Sequence, residues 1–379
     1  MTFFTRRESL GLVAGASLLA LPQISFAQGT PDRKFIFVLL RGGMDGLAAL
    51  IPDDKDIKRL RGHILPPPET RLDLGNGFRL HPSFSGLKTL YSQGDAAFIH
   101  AAATPYRDRS HFEGQDALET LGQPGAKDGW LNRALQAQGQ TGLAVGRAVP
   151  LAMKGTAPVK NWSPPIFESA SDDLIMRLSD LYEGDPLLSA SLAAAKETQT
   201  MSMELSRRDA RRFTKEYTIA LSTIGRLMSE DSGPGIGMVA LDGWDTHDKQ
   251  ENKLTDNFAA LDEALIALKN SLGPHWERSC IVVCSEFGRT AAANGTRGTD
   301  HGTGGLMMML GGAVKGGKLH GDWPGVKKSA LYEKRDLYPA NDIAAVLKGV
   351  MRDHLGVSRS ALDTSIFPNS GRAMDRLIG

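Results

Sequence analysis

The 379-residue chain is poor in several things, and each shortage excludes something. It has two cysteines, Cys280 and Cys284, on one apolar run. On a strand their Cα atoms stand ~13 Å apart, from the rise per residue. A disulfide needs less than ~7 Å, so both are expected as buried free thiols. No disulfide framework and no cysteine-based zinc site is available. Net charge is also scarce, at a formal +1. Arg6, Arg7 and Glu8 contribute that single charge (two minus one), and the chain beyond them is neutral. A neutral chain has no global field to gather nucleic acid or anionic membrane. Past the first thirty residues no apolar run approaches the ~20 residues of a membrane span.

The N-terminus has the form of an export leader. Thr5-Arg6-Arg7-Glu8-Ser9-Leu10 is a twin-arginine motif, an apolar run follows to Leu21, and Ser25-Phe26-Ala27 supplies small residues for cleavage after Ala27. The run contains Gly11, Gly15 and Ser17, ends at Pro22 and is short for a span. Residues 1–27 are therefore expected to be a cleaved signal, leaving a mature domain of 28–379 without a stable membrane span. It would be delivered to the periplasm or beyond by the twin-arginine machinery. That route carries folded proteins, often with a bound metal or cofactor.

The rest alternates between apolar runs and amphipathic segments, the signature of an α/β fold with a doubly wound, mostly parallel sheet. Lys34–Leu40, Ala96–His100, Met238–Leu241, Ser279–Cys284 and Leu306–Leu310 are expected strands, with a further candidate at Ala148–Met153. Helices are expected to about Gln93, from Ser110, over 128–137, over Gln250–Leu272 and over Asp342–His354. Residues 52–80 have the composition of a surface excursion. Residues of about 172–231 have that of a helical insertion. Ser110 with Glu113 fits a capping box.

The functional signal is the chemistry gathered at strand ends. The first strand runs into Arg41-Gly-Gly-Met-Asp45-Gly46. The run 238–241 leads to Asp242-Gly-Trp-Asp245-Thr-His247. The run 279–284 leads to Ser285-Glu286-Phe287-Gly288-Arg289, and His301 precedes the run 306–310. In open α/β sheets, sites form beyond the carboxyl ends of parallel strands. Asp45, Asp242, Asp245, His247, Glu286 and His301 are thus candidate metal ligands. Carboxylate oxygen with imidazole nitrogen suits zinc, manganese or iron, and carboxylates alone suit magnesium or calcium. Each residue also has a structural alternative. Asp45 fits an Asx turn, Asp242-Gly243 a turn pair, and Asp245 or Asp248 a cap for the helix near Lys249. Arg41, Arg107, Arg109 and Arg289 are candidates for holding an anionic substrate. Ser110 is both the expected helix cap and a candidate nucleophile, since a helix N-terminus favours an anion. The glycines of 302–305 precede a strand and so do not form a dinucleotide fingerprint.

The ordered motifs LLRGGMDGL, RDRSHFEGQ, DGWDTHDKQ, SEFGRT and GTDHGTGG resemble the exported bacterial family known as domain of unknown function 1501. That family looks like a branch of the alkaline phosphatase and sulfatase superfamily. The resemblance implies that superfamily's doubly wound core and a centre of up to two divalent metals (zinc, manganese or magnesium). Asp45 takes the place of the superfamily's first-strand Asp ligand. Asp242 or Asp245 with His247 takes that of the Asp–His pair, Glu286 that of the next acid, and His301 that of the last His. Ser110, or else Thr104, takes the place of the nucleophile. One departure is plain: Phe287 stands where the superfamily usually has a histidine. Another group such as His111 then supplies that nitrogen, or the site holds one metal or none. Neither cysteine lies in the context that sulfatases modify. The resemblance implies a metal-dependent hydrolase of a phosphate, sulfate or related small anionic ester. The alternative is a non-catalytic periplasmic metal- or ligand-binding protein that retains the fold.

Overall fold

The computed structural model describes residues 32–122, 125–163 and 212–379. The expected leader, 1–27, and most of the expected helical insertion lie outside the described residues. Twelve strands are present among them: β1 Lys34–Leu40, β2 Leu50–Pro52, β3 Leu72–Asp73, β4 Phe78–Leu80, β5 Ala96–Ala103, β6 Gly142–Val145, β7 Val159–Trp162, β8 Ile236–Leu241, β9 Ser279–Cys284, β10 Gly305–Leu310, β11 Lys318–His320 and β12 Asn341–Asp342.

Nine of them form one mixed sheet in the order β11-β5-β10-β9-β1-β8-β6-β7, with β12 also on β5. Neighbours run parallel except at β10, which is antiparallel to both β5 and β9. β1 lies at the centre and is buried throughout, which explains why its sequence does not alternate. Its side chains nevertheless divide by parity. Ile36, Val38 and Leu40 enter one core, and Phe35, Phe37 and Leu39 enter the other.

The first core is roofed by helices Ser85–Gln93, Arg212–Ser229 and Gln250–Leu272, the second by Trp130–Gln138 and Ile343–Leu355. Their apolar residues recur at helical spacing, as in Leu254, Phe258, Leu261, Leu265 and Leu268. Cys280 and Cys284 are buried and free, as expected from their spacing. No helix among the described residues is long and apolar enough to cross a membrane.

Three local expectations are corrected. The run Ala148–Met153 is not a strand; the strand is β6, and Leu151–Met153 is a single 3-10 turn after Pro150. Pro150 has no N–H to give a ladder, so the shorter run ending in Val145 takes the sheet position. The excursion 52–80 is ordered, with the helix Lys55–Arg61 and a small antiparallel sheet of β2, β4 and β3. The Ser110 capping box does not form. The helix starts at His111 as expected, but Ser110 makes no side-chain cap bond, and Glu113 instead accepts from the Tyr106 hydroxyl at 2.8 Å.

A candidate metal centre

The loops after β1, β5, β8 and β9 meet at one edge of the sheet. Because β10 runs the opposite way, the loop entering it reaches the same edge, and His301 arrives there from the N-terminal side of its strand. The loops are joined main chain to main chain. Arg289 and His301 form an isolated antiparallel bridge, the Gly288 N–H donates to Thr303, and the Gly302 N–H donates to Gly288. Two glycines are required by this closeness. A methyl on Gly288 would strike the Gly304 carbonyl, and one on Gly298 would strike that of His247.

Asp245 is the centre of the cluster. His247 Nε2 lies 2.9 Å from its Oδ1, His301 Nε2 3.3 Å from the same oxygen, and His111 Nε2 3.4 Å from its Oδ2. The two Nε2 atoms of His247 and His301 are 2.9 Å apart. Groups of His111, Asp245 and His301 all fall within 4.8 Å of one another. The other ring nitrogens face acceptors. His111 Nδ1 meets Glu286 Oε1 at 2.7 Å, His301 Nδ1 meets the Arg109 carbonyl at 2.9 Å, and His247 Nδ1 lies 3.6 Å from Asp300. A backbone carbonyl only accepts, so His301 carries its proton on Nδ1 and, when neutral, presents a lone pair at Nε2. His111, donating to Glu286, does the same. Its Nε2 is buried and has no hydrogen-bond partner.

The cluster therefore converges three imidazole nitrogens and a carboxylate on one point, with the Arg289 guanidinium also on that carboxylate. Nitrogen and oxygen donors of this kind suit zinc, iron or manganese more than magnesium. The residues present thus fit a transition metal held by His111, Asp245 and His301, with His247 beside them. Phe287 packs on the rings of His111 and His301 at centroid distances of 5.0 and 5.2 Å, fixing their planes.

Local electrostatics follow the partners. The hydrogen bond to Glu286 is the main reason His111 titrates above its ordinary range, ahead of the opposing burial. Burial would lift Glu286, but the bonds it accepts from His111, Ser285 and the Gly42 N–H override this and hold it below the usual carboxylate range. Asp245 is likewise pushed up by burial and pulled below the ordinary value by Arg289, at 2.6 Å. Burial, with the cations of His111 and Arg289, depresses His301.

The other residues singled out from sequence fall elsewhere. Asp45 is 1% exposed and lies against Arg61, whose Nη1 reaches both carboxylate oxygens at 2.7 and 2.8 Å. Gln250 donates to Asp45 at 2.8 Å, and Asp45 also accepts from Ala48 N, capping a short helix over 46–49. Its oxygens thus meet Arg61, Gln250 and the Ala48 N–H. Asp242 has an exposed side chain in a cleft with Arg41 and Glu119, away from the cluster. Glu286 touches the cluster through His111. Arg289 is 2% exposed and donates to the carbonyls of Gly42, Gly43, Trp244 and Thr299 as well as to Asp245. Arg109 pairs with Asp336 and Glu333, Arg41 with Glu119, and Arg107 donates to the Thr104 and Tyr106 carbonyls. Ser110 lies between Arg109, whose carbonyl holds His301, and His111. Sequence reasoning named His111 only as a substitute for the nitrogen lost at Phe287, and it missed Arg61. The signal for His111 was its place after Ser110 in the turn that leaves β5.

Residues 69–356 match the family described as Protein of unknown function (DUF1501), and the chain belongs to that family. Among curated proteins, none matches it. Solved structures similar to it include the C-terminal periplasmic domain of EcEptC from Escherichia coli in complex with Zn (9% identity, 75% of this chain and 74% of that one, TM-score 0.37). A protein in the alkaline phosphatase superfamily from Vibrio parahaemolyticus is similar at 13% identity over 82% of this chain and 69% of that one, with TM-score 0.35. BT1596, a 2-O GAG sulfatase, is similar at 7% identity over 91% and 73%, with TM-score 0.40.

Proposed function

We propose that the protein is an exported, metal-dependent hydrolase of a phosphate, sulfate or related anionic ester, on an alkaline-phosphatase-like doubly wound fold. The observation that carries this reading is the convergence of three Nε2 atoms on the Asp245 carboxylate, with the orphaned Nε2 of His111 among them. One divalent transition metal held there by His111, Asp245 and His301, with His247 beside them, would supply a Lewis acid for an ester oxygen. The remaining work falls to the chain. Arg289 neutralises part of the charge on Asp245 and fixes it against the loop carbonyls. Ser110, at the start of the helix that carries His111, is the candidate nucleophile, and the helix N-terminus favours the anion that its attack would create. Phe287 makes one face of the centre apolar, which favours one metal over two.

Export by the twin-arginine machinery, cleavage after Ala27 and a small anionic substrate belong to the same proposal. The test is elemental analysis of chelator-free protein, followed by a panel of phosphate and sulfate esters with His301→Ala as control. About one equivalent of metal per chain and turnover abolished by His301→Ala are expected. Turnover that survives the substitution rejects this centre as the site of hydrolysis, and no turnover of any ester by the wild-type chain rejects the hydrolase.

A second reading is favoured by the arginines. Arg109 and Arg289, the two cations expected to hold a substrate anion, are already engaged by carboxylates and carbonyls. A metal-binding protein without turnover satisfies the same cluster. It is indicated if metal is bound tightly while every ester in the panel remains intact.

A further inference from the structure

The two nitrogens of an imidazole point away from each other, so a ring that offers Nε2 to an ion must leave Nδ1 to something else. For His111 that partner is Glu286. The carboxylate is 1% exposed and lies 2.7 Å from Nδ1. It is fixed by the Gly42 N–H at 2.9 Å, by the Ser285 hydroxyl at 2.8 Å and by Gln115 at 3.3 Å. Phe287, the next residue, packs against the His111 ring. A buried anion tied to the backbone of the loop after β1, on the far side of the ring from Asp245, has the placement of an orienting group.

We infer that Glu286 is a positioning residue for His111 and not a metal ligand: its carboxylate holds the proton on Nδ1 and thereby aims the Nε2 lone pair at the centre formed with Asp245, His247 and His301. This rests on the metal reading given above. The same geometry explains why a histidine is not needed at position 287. The ring arrives instead from the helix that follows β5, and Phe287 serves as its stacking surface. Outer carboxylate partners of this kind raise ligand basicity, and their loss weakens metal affinity by about 10–100-fold.

The experiment is a double-substitution cycle on the full purified chain, read by zinc dissociation constants from chelator competition and by zinc stoichiometry. Glu286→Gln keeps the shape and removes the charge. It is expected to weaken zinc by about 10–100-fold, with the bound zinc still one per chain. In a His111→Ala background the same change is expected to have no further effect, because its route is gone. Nitrogen-15 spectra of the metal-free protein supply a readout that bulk destabilisation does not move. The wild-type His111 ring is expected as the Nδ1–H tautomer at alkaline pH, and Glu286→Gln is expected to populate Nε2–H. Equal weakening in both backgrounds overturns the inference, as does wild-type binding of two zinc ions with one lost in Glu286→Gln. A wild-type chain that binds none of zinc, iron or manganese overturns the metal reading and this inference with it, whereas metal binding with an unchanged His111 tautomer in Glu286→Gln overturns this inference alone.

Discussion

Arg61 Nη1 reaches both carboxylate oxygens of Asp45, at 2.7 and 2.8 Å, with neither side chain more than 1% exposed. The guanidinium also donates to the carbonyls of Thr290 and Ala291, so it fastens the loop after β9 to the loop after β1. A cation is therefore already present beside the carboxylate expected from the sequence to be a metal ligand.

Removing one partner from that pair leaves a buried charge. Arg61→Met is expected to destabilise the fold by about 3–5 kcal/mol, read as a shift in the denaturant midpoint. Asp45→Asn is expected to lower stability while leaving the metal stoichiometry unchanged. Metal lost from Asp45→Asn with stability intact would return Asp45 to the ligand set.

Arg289 serves four carbonyls and Asp245 at once. Arg289→Lys keeps the charge but cannot reproduce a planar fork. It is expected to cost more than about 3 kcal/mol, since several buried acceptors lose charged donors. Thermal unfolding of the metal-free protein measures this, and a shift no larger than that of a surface substitution would count against it.

Acid should weaken the fold through histidines remote from the cluster. Burial depresses His100 and His354 to about 4. Their Nε2 atoms face the Leu50 and Lys34 carbonyls. In the unfolded chain each titrates near about 6.5. Between those values the unfolded state binds more protons, so stability is fully present above pH ~6.5 and falls as pH drops toward 4. Each contributes about 3 kcal/mol over that window. His354→Gln is expected to flatten the dependence of unfolding free energy on pH across 4–6.5, and an unchanged slope would refute the assignment.

Burial also pushes the thiols of Cys280 and Cys284 well above their ordinary range. Neither is expected to react with a thiol reagent in the native protein, and both are expected to react once it is denatured. Labelling of either under native conditions would show that the strand opens.

The sheet was legible because burial imposes a simple code. Apolar runs such as Phe35–Leu40 and Cys280–Cys284 fit a strand buried on both faces. The strand-end rule pointed to the carboxyl edge of the sheet, and Asp245, His247 and His301 do meet there. Partner choice was not legible. Asp45 and Asp245 both follow glycine-containing turns and both meet an arginine, and only the fold shows that Asp245 also faces three imidazoles. Ala148–Met153 misled because hydropathy does not register the missing N–H of Pro150. His111 was obscured by its neighbour, since Ser110 invited both a cap and a nucleophile while the imidazole beside it carried the contact.

The glycine crossings at 288 and 298 have a consequence of a different kind. They lock the separations between the loops into the peptide framework, where no side chain acts as a spacer. The framework then behaves like a jig. Exchanging an imidazole for a carboxylate at its rim changes the donors offered there without moving the neighbouring arms, whereas an added methyl at either crossing would strike a main-chain carbonyl. Donor identity and donor placement are thus separately adjustable in this chain: substitutions at the tips test what the cluster binds, and substitutions at the crossings test how it is held.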